Sequence, residues 1–214
     1  MNNEQKAGKR IAKAVLFPAI LILLAACSAR DGEPRDFMDR FGLEPEPAVE
    51  GFSVCTSFAC ESSVVISLTD DEKRRLGEIF EPEPDNAAEE RARIALAVGL
   101  MERMIGPRVG TANDAPKNTW IKGKQTEQLD CVAEAANTTT YLMIMKSEGR
   151  IGFHEVVHPA RRGVIPFTAH NTAVIRDVEF RREYAVDSWY GANGEPAHIA
   201  PLPLWLDGWD PEGD

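Results

Sequence analysis

The chain has 214 residues, and its 34 Asp and Glu outnumber 24 Lys and Arg for a formal net charge of −10. That length suits one domain with an ordinary hydrophobic core. An acidic body of this kind repels nucleic-acid phosphates, which excludes a nucleic-acid partner.

In chain order, Lys6, Lys9, Arg10 and Lys13 precede an apolar run over 14–24, which ends in Ala25-Ala26-Cys27-Ser28. A basic start, an apolar stretch too short to span a bilayer comfortably and small residues before a cleavage point form a secretory leader. The box Leu24-Ala25-Ala26-Cys27 resembles the bacterial lipoprotein signal. The resemblance implies that residues 1–26 are removed, that Cys27 is diacylated, and that the rest is tethered to a bilayer through those chains. Ser28 after the lipidated cysteine fits export to the outer membrane, facing the periplasm of a Gram-negative bacterium. A plain transmembrane helix would need a longer apolar run. Removing the leader's net +3 (Lys6, Lys9, Arg10 and Lys13 against Glu4) from −10 leaves −13 on the mature part.

In that oxidising compartment the remaining cysteines divide. Cys55 and Cys60 are five apart, close enough for a small disulfide loop ahead of a strand, and Cys131 is left over. An inert buried thiol is the commoner fate of a lone cysteine, so the residues around Cys131 decide what it does.

Residues 27–50 are rich in Asp, Glu and Pro and are expected to be an acidic tether; the folded domain is 51–214. Ser62–Leu68 is β-branched and bounded by polar residues, which predicts a strand. Thr69 and Glu72 have capping-box spacing and open a helix through Phe80. Asp85 or Asn86 caps a second helix whose apolar face (Ala88, Ala92, Ala95, Leu96, Val98, Gly99, Met101, Met104) lies opposite Glu89, Glu90, Arg91 and Arg93. Gly106-Pro107 should end it. Residues 107–129 form a long connection of the kind that lines sites. A helix begins at Cys131 and stops near Gly149, with strands at 151–157, 168–177 and 182–190. The fold class is therefore α+β, with the cysteine-bearing helix packed on an antiparallel sheet.

Asp130 accepts backbone donors at the helix start and puts Cys131 in the first turn, where an anion such as a thiolate is favoured. A nucleophile there needs a base and a group to orient that base. If the strands through His170 and Asp187 turn at Val178-Glu179, paired residue numbers sum to 357 and His170 faces Asp187 directly. A six-residue loop, 177–182, gives 359 and makes them diagonal neighbours on one face. For each residue alone the plainer reading is structural; the ordered set of three favours a site.

The order of Cys at a helix start, His entering a strand and Asp in the next strand resembles the transglutaminase-like branch of the papain-like cysteine enzymes. The matching text is Cys131 with Ala135 and Tyr141-Leu142, then His170-Asn171-Thr172-Ala173-Val174, then Ala185-Val186-Asp187-Ser188. The resemblance implies Cys131 as nucleophile, His170 as general base and acid, and Asp187 as the residue orienting the imidazole. It implies acyl transfer to an amine or hydrolysis of an amide in a peptide or protein of the envelope. The oxyanion candidate is Gln128, with Gln125 and Trp120 nearby and the Cys131 backbone N–H as the default donor. Asp130 and Ser188 stand where the family often has other residues.

Two other readings come from different classes. A non-catalytic envelope lipoprotein would use the same fold for binding or assembly. His154-Glu155-Val156-Val157-His158 matches the HExxH pattern of zinc peptidases, which needs a helix; Val156-Val157 and Pro159 favour a strand instead, so no metal and no cofactor is expected. The aromatic carboxy-terminal end, with Trp189, Tyr190, Trp205 and Trp209, is expected to close the core over the sheet.

Overall fold

The computed structural model describes residues 32–119, 127–163 and 168–213, so the leader, Cys27, Trp120 and Gln125 lie outside the described residues. The segment expected to be a tether folds back instead. Helix α1, Pro34–Asp39, starts with a proline at its first position and a capping box between Glu33 and Asp36. Phe37, Met38, Leu43 and Val49 are all buried. Acidic and proline-rich composition hid them: four apolar side chains spaced through a polar stretch are enough to dock it on a core that already exists.

Strands β1, Phe52–Cys55, and β2, Ser63–Ile66, form an antiparallel ribbon. The Cys55–Cys60 disulfide closes the turn between them. Helix α2, Asp70–Ile79, opens with the expected box: the Glu72 N–H donates to the Thr69 hydroxyl and the Thr69 N–H to the Glu72 carboxylate. Helix α3, Ala87–Val109, is capped by Asn86 and does not stop at Gly106-Pro107. Proline removes one backbone bond, but the N–H groups of Gly110 and Thr111 both reach the Gly106 carbonyl and close the last turn beyond it. Gly99 in mid-helix reflects a close approach, since a Cβ there would stand 2.5 Å from the Glu195 carbonyl oxygen.

Helix α4, Cys131–Ser147, lies across a four-stranded antiparallel sheet of β3 (His154–Arg162), β4 (His170–Asp177), β5 (Glu183–Asp187) and β6 (His198–Pro201), in that order. The fourth strand was not predicted. The fold is thus α+β with two antiparallel sheets. Strand alternation divides the sheet cleanly. Ala173, Ile175 and Val186 face α3 and α4 in the main core, while Val174 and Ala185 face Leu202 and Trp205 of the short helix α5, Leu202–Leu206. Among the described residues no helix is long and apolar enough to cross a membrane.

β3 is an edge strand, which tolerates Pro159 at a register shift between Val157 and Ala160. The HExxH residues therefore sit in a strand, and their imidazoles make separate contacts. His154 is fully buried, with Nδ1 2.8 Å from Glu90 Oε1 and Nε2 3.1 Å from the Arg91 guanidinium. His158 donates from Nδ1 to the Pro159 carbonyl at 2.8 Å. Glu90, expected on the polar face of its helix, is buried because its other oxygen accepts the N–H groups of Gly152 and Phe153.

Candidate functional site

Asp130 takes the N-cap position of α4, as its residue type predicts, and accepts the Ala133 N–H at 3.0 Å. The same oxygen accepts the Ala59 N–H at 3.0 Å from the disulfide turn, where Ala59 adopts a left-handed conformation (φ 52°). Two turns further along, Asn137 clamps the backbone of Cys55 with both ends of its amide, at 2.7 and 3.1 Å. The disulfide loop thus fixes the start of the helix on which Cys131 sits. Cys131 itself is half-buried and is the free cysteine of the described residues.

The β4–β5 pairing is the six-residue-loop register, with Ala173 opposite Val186 and Arg176 opposite Glu183, a sum of 359 rather than 357. His170 and Asp187 are consequently diagonal neighbours on one face. That suffices: His170 Nε2 lies 2.7 Å from Asp187 Oδ2. Both side chains are buried. Among the described residues the second ring nitrogen, Nδ1, has no hydrogen-bond partner, and the Cys131 sulfur is close enough to act on the ring's protonation. Burial pulls the imidazole pKa down, but the Asp187 carboxylate and then the Cys131 sulfur outweigh it and raise the pKa to about 9. At neutral pH the ring is therefore a cation between a carboxylate and a sulfur.

Aromatic side chains of the carboxy-terminal end, expected to close the core over the sheet, pack around this pair. The rings of Trp189, Tyr190 and Trp205 lie 4.4, 5.5 and 5.3 Å from the imidazole. Trp205 also donates its indole N–H to Asp187 Oδ2 at 2.7 Å. This contact was missed in the sequence, although a buried tryptophan needs an acceptor and the nearby strand offers a carboxylate. Arg162 locks the assembly by bonding to the carbonyls of Trp205 and Trp209 and to the Tyr190 hydroxyl.

Gln128 is not placed as the expected oxyanion donor. Its amide nitrogen donates to the Asn113 and Glu127 carbonyls, at 2.7 and 3.4 Å, and its oxygen accepts from Ala115 N–H and the Asn118 amide. Every hydrogen-bonding group of the side chain is committed to holding the connection ahead of α4. The side chain that does point a donor at the sulfur is Asn171, whose Nδ2 lies 3.8 Å from Cys131 Sγ. The thiol in turn faces the Ala169 carbonyl at 3.8 Å.

Behind the site lies a set of buried acids that carries no sequence signal. The Ser188 hydroxyl donates to Glu134 at 2.6 Å and lies 2.9 Å from the Thr138 hydroxyl. Asp114 accepts the Leu129 N–H at 2.6 Å, and Glu102 accepts the Gly194 N–H at 2.8 Å while its other oxygen has no hydrogen-bond partner among the described residues. Burial raises all three pKa values, with repulsion from neighbouring carboxylates adding to it (Asp114 on Glu102, Glu102 and Asp114 on Glu134, Asp130 on Asp114), well above the ordinary range for Glu134 and to about 8 for Glu102. The contact between Glu134 and Asp114 favours the neutral form of Glu134 and the ionised form of Asp114. These bonds join the first turn of α4 to Ser188, the residue after Asp187.

A folded-state pKa raised from 4.5 to about 8 means that the folded chain binds a proton at Glu102 that the unfolded chain lacks. Stability from this group is full below pH 4.5 and is lost as pH rises to about 8. Glu102→Gln should accordingly raise the unfolding free energy at pH 8–9 by roughly 1–2 kcal/mol and change it little at pH 5, as read by urea titration at the two pH values. An equal effect at both would mean that Glu102 is already ionised in the fold.

Comparison with known proteins supplies no family. No family model matches the chain, and neither a curated protein nor a solved structure matches it.

Proposed function

We propose that the chain is an envelope lipoprotein with a transglutaminase-like, papain-like domain that attacks an amide or peptide carbonyl through Cys131. His170 takes and returns the proton, and Asp187 orients the ring. The observation that carries this reading is the buried His170–Asp187 bond of 2.7 Å beside a half-buried thiol at a helix start. A base aligned by a carboxylate, with a sulfur acting on its second face, is the arrangement a thiol nucleophile requires.

The chemistry follows from the positions. The imidazolium stabilises the thiolate, which adds to the carbonyl carbon and forms a C–S bond. As the tetrahedral adduct collapses, the C–N bond breaks and the amine leaves with the proton held by His170. Neutral His170 then deprotonates water or an acceptor amine, which displaces the sulfur and regenerates the thiol. Peptidase, amidase and crosslinking activities share the first half of this sequence. The leader and Cys27 support a bilayer partner reached through acyl chains and location in the outer membrane facing the periplasm; the substrate is then a peptide or protein of that envelope.

The reading is tested by incubating the full chain with a cell-envelope extract, quenching in acid and searching Cys131 for an acyl adduct by mass spectrometry. An adduct present in the wild type and absent in Cys131→Ala is expected. Iodoacetamide should also alkylate Cys131 faster than it alkylates free cysteine at pH 6–7. Alkylation no faster than free cysteine, together with no adduct, would sink the proposal.

A further inference from the structure

We infer that Asn171 is a catalytic residue of this site, its side-chain amide holding the oxyanion formed when Cys131 attacks a carbonyl. The inference rests on the thiol-nucleophile reading above and assigns the missing donor.

Three observations carry it. The side chain expected to fill this role is consumed elsewhere, because both contacts of the Gln128 amide nitrogen are backbone carbonyls. Asn171 is half-buried at the second residue of β4, next to His170, and aims Nδ2 at the sulfur from 3.8 Å. In the adduct the oxyanion stands one carbon away from the sulfur. A donor 3.8 Å from the sulfur is therefore spaced for the contact of about 3 Å that oxyanion donors make. Cys131, as the first residue of α4, adds its own backbone N–H, which has no acceptor within the helix.

The two donors would act together. As the sulfur's electron pair forms the C–S bond, the carbonyl π pair moves onto oxygen, and the Asn171 amide and the Cys131 N–H share that charge. When the C=O bond re-forms the leaving group departs, and the amide returns to its contact with the sulfur. Asn171 holds no proton in exchange, so its contribution is independent of pH, unlike that of His170.

Two probes separate this role from a structural one. Iodoacetamide alkylates sulfur without forming an oxyanion, whereas p-nitrophenyl acetate acylates it through one and releases p-nitrophenolate. In Asn171→Ala and in the near-isosteric Asn171→Leu, the acylation burst should slow by about 10²-fold while alkylation stays within about threefold of wild type. Asn171→Gln, which keeps a donor, should recover part of the burst. If both reactions slow together, Asn171 merely positions the thiol and the inference is overturned; an unchanged burst overturns it as well. A wild-type thiol that neither acylates nor alkylates faster than free cysteine would remove the underlying reading, and this one with it. Circular dichroism of each variant identifies losses that come from misfolding, and Asn171→Leu then decides if Asn171→Ala does not fold.

Discussion

Replacing His170 with alanine is expected to slow acylation of Cys131 by p-nitrophenyl acetate by about 10²–10⁴-fold at pH 7, the range that a positioned acid-base group contributes. The ring does two things that alanine cannot. It holds a positive charge beside the sulfur, and with an amide substrate it carries the proton that the departing amine needs; p-nitrophenolate leaves as the anion, so this ester reports the first effect. With its pKa raised to about 9, the wild-type ring keeps that charge across neutral pH and loses it above about pH 9. The gap between wild type and variant should therefore be widest at pH 6–7 and should shrink above pH 9. There the ring no longer carries the charge that assists the sulfur, so wild type and variant converge. Stopped-flow release of p-nitrophenolate from pH 6 to 10 measures both features. A variant as fast as wild type at pH 7 would show that the imidazole does not serve the sulfur.

The largest stability effect is expected at Glu90. One of its oxygens meets His154 Nδ1 at 2.8 Å and the other accepts the Gly152 and Phe153 N–H groups at 2.6 and 2.9 Å. His154 is fully buried and Glu90 nearly so. Glu90→Ala would strand the buried His154 Nδ1 together with the part-buried Gly152 and Phe153 N–H groups, and losing one partner of a buried pair costs about 3–5 kcal/mol. Against a typical domain stability of ~5–15 kcal/mol, that is a large fraction. Urea unfolding at pH 7 is the measurement, with Glu90→Gln as comparison because it keeps an acceptor and should cost less. Burial alone would raise the Glu90 pKa, but His154 and the two backbone N–H groups outweigh it and hold the pKa below 4.5. The sign follows: this contribution is present above the unfolded pKa near 4.5 and is lost as pH falls through the lower folded value. The variant's deficit should shrink in acid, and a deficit that is constant down to pH 3 would contradict an ionised Glu90.

Where sequence reasoning reached the right answer, the determining interactions are local. Thr69 with Glu72, Asn86 ahead of Ala88 and Asp130 ahead of Ala133 are caps made within three residues. Residue type and spacing are enough to find them. The α+β class followed from periodicity, and the Cys55–Cys60 pairing from proximity. Even the His170–Asp187 relation was within reach, since strand parity keeps both on one face in either register considered. The turn chemistry was not readable: Asp177 builds the loop by accepting the N–H groups of Glu179 and Phe180, which selects the longer connection over a two-residue turn.

Contacts made across the fold were hidden for a common reason. Gln128, Glu90, Glu102 and Glu134 are polar side chains that a sequence reader assigns to solvent or to chemistry, because a polar residue is buried only when partners distant in sequence satisfy it. Those partners are Asn113 for Gln128, His154 for Glu90, Gly194 for Glu102 and Ser188 for Glu134. The docking of Phe37 and Met38 onto the core is non-local in the same way.

The amino-acid sequence by itself determined the starts of α2, α3 and α4, the shared face of His170 and Asp187, and the order of Cys131, His170 and Asp187, because each rests on short-range spacing. Only the tertiary structure decided which donor faces the sulfur. It turned Gln128 into a strut and brought Asn171 to 3.8 Å from Sγ. The direction of a side-chain amide is set by whichever partners surround it once the chain has packed, and no spacing rule encodes them.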